Sequence, residues 1–120
     1  MSYDINLTDP VTHEVIELSE PHFMRGGTYA VGGTTDMWLN VTYNYAKFYY
    51  RDDVLGDDGI RTIYGMTGAE SIPVLERAIA ALGDDVDSDY WKPTEGNAKR
   101  PLCQLLAFAQ MRPDGIWDGD

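Results

Sequence analysis

Apolar and polar side chains alternate most regularly over residues 37–45. Met37, Leu39, Val41, Tyr43 and Tyr45 take the odd positions, and Asn40, Thr42 and Asn44 take even ones. A period of two with β-branched and aromatic members predicts a half-buried strand, with the asparagines and threonine on its exposed face. A looser alternation over residues 11–18, after the Asp9-Pro10 turn, predicts a first strand. Residues 24–35 carry Gly26-Gly27 and Gly32-Gly33 around a short apolar stretch, which predicts turn, short strand, turn. Past Ala46, the run Lys47-Phe48-Tyr49-Tyr50-Arg51 fits either a longer strand or a short helix, and residues 60–64 form another short apolar segment.

The period changes in the second half. Ile72, Leu75, Ile79 and Leu82 recur at helical spacing, and Gly83 ends the stretch. Thr67 and Glu70 have capping-box spacing, but Pro73 belongs in a first turn and favours Ser71 as the cap. A second stripe joins Ala98, Leu102, Leu105, Leu106 and Ala109; Pro101 means that this helix either starts near Asn97 or bends. Pro113-Asp114-Gly115 stops it, leaving Ile116 and Trp117 to fold back. Strands first and helices last predict a single α+β domain over residues 1–120. Its antiparallel sheet comes from the N-terminal half and is packed by the two C-terminal helices.

A chain of 120 residues buries enough surface to fold without disulfides. Its lone cysteine, Cys103, falls on the inner half of the second helix, where a small core residue is expected. A start without a basic region and apolar core, and the lack of a 20-residue apolar run, predict a cytoplasmic protein without a membrane partner. Nine Lys and Arg against twenty Asp and Glu give a net charge of −11. Such a field opposes direct nucleic-acid binding and favours a protein partner with a basic surface.

Candidate chemistry is sparse. Asp85, Asp87 and Asp89 have the alternate spacing of half a calcium loop, but Tyr90 stands at the turn-glycine position and Gly96 at that of the bidentate glutamate. No metal site and no cofactor are therefore expected. Neither a nucleophile elbow nor a phosphate loop is present, which leaves an enzyme with scattered carboxylates as the least supported class. Two surfaces remain. The acidic one groups Asp52, Asp53, Asp57, Asp58, Asp84, Asp85, Asp87 and Asp89 with Tyr90 and Trp91 as contact area. The other would bind a small molecule or nucleotide signal through Arg25, Gly26, Gly27, Asn40, Tyr43, Asn44, Tyr45, Lys47 and Arg51.

The segments Arg25-Gly26-Gly27-Thr28-Tyr29, Asn40-Val41-Thr42-Tyr43-Asn44-Tyr45, Gly65-Met66-Thr67-Gly68-Ala69-Glu70-Ser71 and Pro113-Asp114-Gly115-Ile116-Trp117 resemble a small phage- and prophage-encoded family. That family carries no assigned activity, so no residue role transfers. The resemblance implies a bacterial host and a context in which small acidic proteins inhibit host defence or nucleic-acid enzymes. With the charge, it makes a non-enzymatic acidic binding module the leading expectation, ahead of the small-molecule binder. The oligomeric state is left open.

Overall fold

The computed structural model describes residues 2–23 and 33–120. The predicted turns over residues 24–32, with Arg25, Gly26 and Gly27, lie outside the described residues.

The centre of the molecule is a strand that the alternation at residues 37–45 did not announce. β1 (Ser2–Thr8) buries Tyr3, Ile5 and Leu7 and half-exposes the residues between them. It lies between β4 (Trp38–Thr42) and β5 (Ile116–Gly119), antiparallel to both. The register sets Ile5 opposite Leu39 on one side and Gly119 on the other, and Leu7 opposite Trp117. On the outer face the Asp4 carboxylate accepts from Trp38 Nε1 at 3.2 Å and Asn40 Nδ2 at 3.0 Å. β2 (Glu17–His22) and β3 (Thr34–Asp36) form a second, two-stranded sheet. Met37 N→Ile16 O at 2.8 Å, Ile16 N→Leu7 O at 3.0 Å and Leu7 N→Met37 O at 3.0 Å join it to β1.

The fold class is α+β, with antiparallel strands early and two long helices late. Three details of the strands differ from the sequence reading. Residues 11–15 are turn and bridge, so the first strand is β1 rather than residues 11–18. The main sheet takes its third strand, β5, from the C-terminal end. The strand predicted to reach Tyr45 stops at Thr42, whose Oγ1 accepts from Asn44 N at 3.2 Å and starts a 3₁₀ turn, Tyr43–Tyr45. The short helix α1 (Ala46–Tyr49) follows, resolving the ambiguous run in favour of helix. Tyr45 and Tyr49, four residues apart, point into the core with rings 6.3 Å apart, a spacing a strand would have sent to one face of the sheet.

Residues Gly59–Ile63 form a second 3₁₀ turn that buries Ile60 and Ile63. α2 (Gly68–Ala81) starts at Thr67, not Ser71: the Thr67 side chain accepts from Glu70 N while Glu70 Oε1 accepts from Thr67 N, closing a capping box. Pro73 therefore sits inside the helix. Ser71 faces inward instead, donating to Gly68 O and accepting from the buried Trp117 Nε1, both at 2.8 Å. α3 (Glu95–Met111) is capped by Thr94 and runs on through Pro101. Its buried stripe is Ala98, Leu102, Leu105, Phe108 and Ala109, and Leu106 is only half-buried. Helices and sheet share one core, from Tyr3 and Ile5 through Tyr49 and Leu75 to Trp117. Among the described residues no helix is long and apolar enough to cross a membrane.

Candidate functional site

The acidic residues at positions 84–89 sit in a connection between α2 and α3 that is folded onto α3. Asn97, fully buried in the first turn of α3, organises it. Asn97 Oδ1 accepts from Asp87 N at 3.0 Å, and Nδ2 donates to Asp89 O at 3.1 Å and Lys92 O at 3.0 Å. From the other side Tyr45 Oη donates to Tyr90 O, and Asn44 Nδ2 donates to Trp91 O at 2.8 Å. A Cβ on Gly96 would lie 2.7 Å from backbone atoms of Asp85 and Val86, so only glycine admits the loop this close.

The carboxylates of this loop are occupied by their own surroundings. Asp84 pairs with Lys99 at 2.6 Å, Asp85 accepts from Gly96 N at 3.1 Å, and Asp89 accepts from Trp91 N at 3.1 Å. Asp87 accepts from Asp89 N at 2.8 Å and pairs with Lys92 at 3.3 Å. The Asp89 amide and then the Lys92 ammonium hold the Asp87 carboxyl below the ordinary carboxylate range. Asp85, Asp87 and Asp89 thus turn to three separate partners. Among the described residues no group of three or more His, Cys, Asp or Glu side chains is placed to hold a metal ion. Trp91 is half-exposed beside Tyr90, with ring centroids 4.9 Å apart.

The other acidic segment is more open. Asp53 is gripped by Arg51 through Nε at 2.9 Å and Nη2 at 2.6 Å, and Arg51 Nη1 also reaches Glu95 at 2.9 Å. That guanidinium holds the Asp53 carboxyl low, and the two carboxylates raise Arg51 above its usual range. Asp52, Asp57 and Asp58 are exposed and make no ion pair among the described residues. The exposed Tyr50 ring lies over Gly59, where a Cβ would meet it at 3.0 Å, directly after Asp57 and Asp58. Aromatic surface and uncompensated carboxylates therefore share this corner.

Arg25, Gly26 and Gly27 lie outside the described residues, and the other small-molecule candidates are placed differently from one another. Asn40 is half-buried and bonded to Ser2 and Asp4, Thr42 is buried, and Asn44 is exposed, so they form no common open face. Tyr45 is fully buried, and burial pushes its hydroxyl up to about 12. Tyr43 is half-buried against Tyr3 at 4.5 Å, Lys47 lies 5.1 Å over Phe48, and Arg51 is committed to its carboxylates. The concavity is elsewhere. An open groove of about 350 Å³ runs between the acidic loop and the outer face of α3, lined by Asp84, Val86, Lys99, Arg100, Cys103 and Gln104 with Gly96. Cys103 is exposed there, not in the core. It stands one helical position past Leu102, enough to rotate it off the buried stripe. Its sulfur is nonetheless partly desolvated, which raises the thiol above its ordinary range, opposed by Lys99.

Sequence reasoning missed Asn97 and this groove. A single Asn in a helical first turn carries no periodic signal, since its partners are backbone groups. No protein-family model, curated protein or solved structure matches this chain.

Proposed function

We propose that this protein is a non-enzymatic acidic binding module whose partner is a protein with a basic surface. A mobile-element inhibitor that occupies the nucleic-acid face of a host enzyme fits that description. The carrying observation is the corner at Asp52, Asp57 and Asp58. Three exposed carboxylates there form no ion pair among the described residues, and the exposed Tyr50 ring lies over Gly59, directly after Asp57 and Asp58. Carboxylates free of internal partners steer a cationic surface, and an aromatic ring supplies contact area beside them. The residues 84–89 contribute less to this face, because their charges are already answered by Lys92, Lys99 and backbone amides.

Immobilised protein and bacterial lysate give the test. Retention of a basic nucleic-acid enzyme at low salt, lost near 0.5 M NaCl at roughly a 4–5 Å screening length, is the expected result. The triple variant D52N/D57N/D58N is expected to lose that enzyme, while D84N/D89N keeps most of it. Undiminished retention by the triple variant, or no basic enzyme at any salt, overturns the reading. A small-molecule binder is the second reading, favoured by the groove beside Lys99 and Arg100. Native mass spectrometry showing a stoichiometric ligand on the purified protein would move the assignment there.

A further inference from the structure

We infer that Asp118 is a site of spontaneous backbone isomerisation, and that the fold selects it from three chemically equivalent Asp-Gly pairs. The chain holds Asp58-Gly59, Asp114-Gly115 and Asp118-Gly119. Glycine places no Cβ in the path of its own amide, so each pair is open to attack by the glycine nitrogen on the preceding carboxyl carbon. The N–Cγ bond forms, one carboxyl oxygen leaves as water together with the amide proton, and a five-membered imide results. Water then opens the ring. Addition at the Cγ carbonyl restores aspartate, and addition at the main-chain carbonyl routes the backbone through Cγ as isoaspartate. Water is the only co-reactant, and the final mass is unchanged.

The three pairs differ in what holds the nucleophile. Gly59 N donates to Gly56 O at 2.9 Å, and Gly59 is buried under the Tyr50 ring. Gly115 N donates to Arg112 O at 3.0 Å, Gly115 is buried against Leu7, and Arg112 clamps the Asp114 carboxylate through two bonds of 2.9 Å. A backbone carbonyl therefore holds both nitrogens away from reaction. Gly119 N is turned away from β1, because the hydrogen-bonded pair is its neighbour, Asp120 N→Asp4 O. Its own bond runs to Asp118 Oδ1 at 2.9 Å, so the glycine nitrogen already rests against the carboxyl group whose Cγ it would attack, and Asp118 is exposed to water. Reacting groups kept at contact distance are the geometric requirement for an intramolecular step.

Isomerisation at this point adds one main-chain atom to β5. It moves the anchor beyond it: Asp120 N→Asp4 O at 3.2 Å, Asp4 N→Asp120 Oδ1 at 2.8 Å and Arg61 Nε→Asp120 O at 2.9 Å. The intact protein is aged at 37 °C and neutral pH, digested, and the three peptides are mapped by electron-transfer fragmentation, which separates isoaspartate from aspartate. Isoaspartate at 118 is expected to exceed that at 58 or 114 by about fivefold or more, the order set by geometric positioning. In urea the three are expected to converge. Equal or faster reaction at 58 or 114 in the folded protein overturns the inference, as does the same ranking in urea, which would make it a property of local sequence. D118E, which lengthens an exposed side chain and disfavours the five-membered ring, is expected to silence this site alone; persistent isomerisation in that peptide also overturns it.

Discussion

Asn97 is fully buried, and each polar atom of its side chain bonds to the backbone of residues 87–92. Removing it strands the Asp87 amide and takes the second donor from Asp89 O and Lys92 O, which also accept from Lys92 N and Thr94 N. Asn97→Ala is expected to cost about 1–3 kcal/mol, read as a fall in urea midpoint, and to free the indole of Trp91. A loss under about 0.5 kcal/mol would show that the loop stands without it. Tyrosines give a second test at this scale. Burial pushes Tyr3 and Tyr45 up to about 12 and raises Tyr49 and Tyr64 as well. A group whose folded-state pKa exceeds its unfolded value stabilises the fold while protonated. That stability is complete below about 10, the unfolded tyrosine value, and drains away as pH rises toward about 12. Absorbance at 295 nm is expected to show these four ionising late or only with the loss of far-ultraviolet dichroism; early ionisation of all of them without unfolding would contradict the packing. At this scale the sequence revealed Tyr45 as inward but not Asn97, because hydropathy ranks side chains and is blind to backbone partners.

At the scale of elements, the start of α2 shows two local rules in conflict. Pro73 argued for Ser71, yet the capping box at Thr67 and Glu70 prevails and the helix absorbs the proline. The reason is tertiary: Ser71 is needed inside, between Gly68 O and Trp117 Nε1. Thr67→Ala is expected to cost about 1 kcal/mol in chemical denaturation, and Thr67→Ser almost nothing. Equal losses for both would point to packing of the threonine methyl instead of the cap. The strand at residues 38–42 was legible from its alternation, and both long helices from their apolar stripes. β1 was missed although Tyr3, Ile5 and Leu7 alternate cleanly, since Asp4 and Asn6 are poor strand formers. The cost of Asp4 is met by cross-strand bonds from Trp38 and Asn40, which become visible only when β4 lies alongside.

For the molecule as a whole, the charge of −11 is read directly from the composition, whereas its placement required the fold. The densest acidic stretch in the sequence, residues 84–89, proves to be the better neutralised one, because Lys92 and Lys99 lie against it. The shorter stretch at Asp52, Asp57 and Asp58 carries its charge openly. Self-repulsion of this size destabilises the compact state at low ionic strength. Raising NaCl from about 10 mM to about 0.3 M is expected to lift Tm by a few degrees, since the screening length falls below the spacing of surface charges. A falling Tm would mean that the ion pairs of Arg51, Lys99 and Arg112 outweigh the repulsion.

The position of β1 bears on how the protein is made. The middle strand of the main sheet is made before both of its neighbours, which end at residues 42 and 119. Until β5 emerges, Tyr3, Ile5 and Leu7 have at most one flank covered, with the other edge open to any extended chain nearby. Closure awaits β5, the last of the three strands in chain order, and crowding of nascent chains is the hazard the open edge must survive until then.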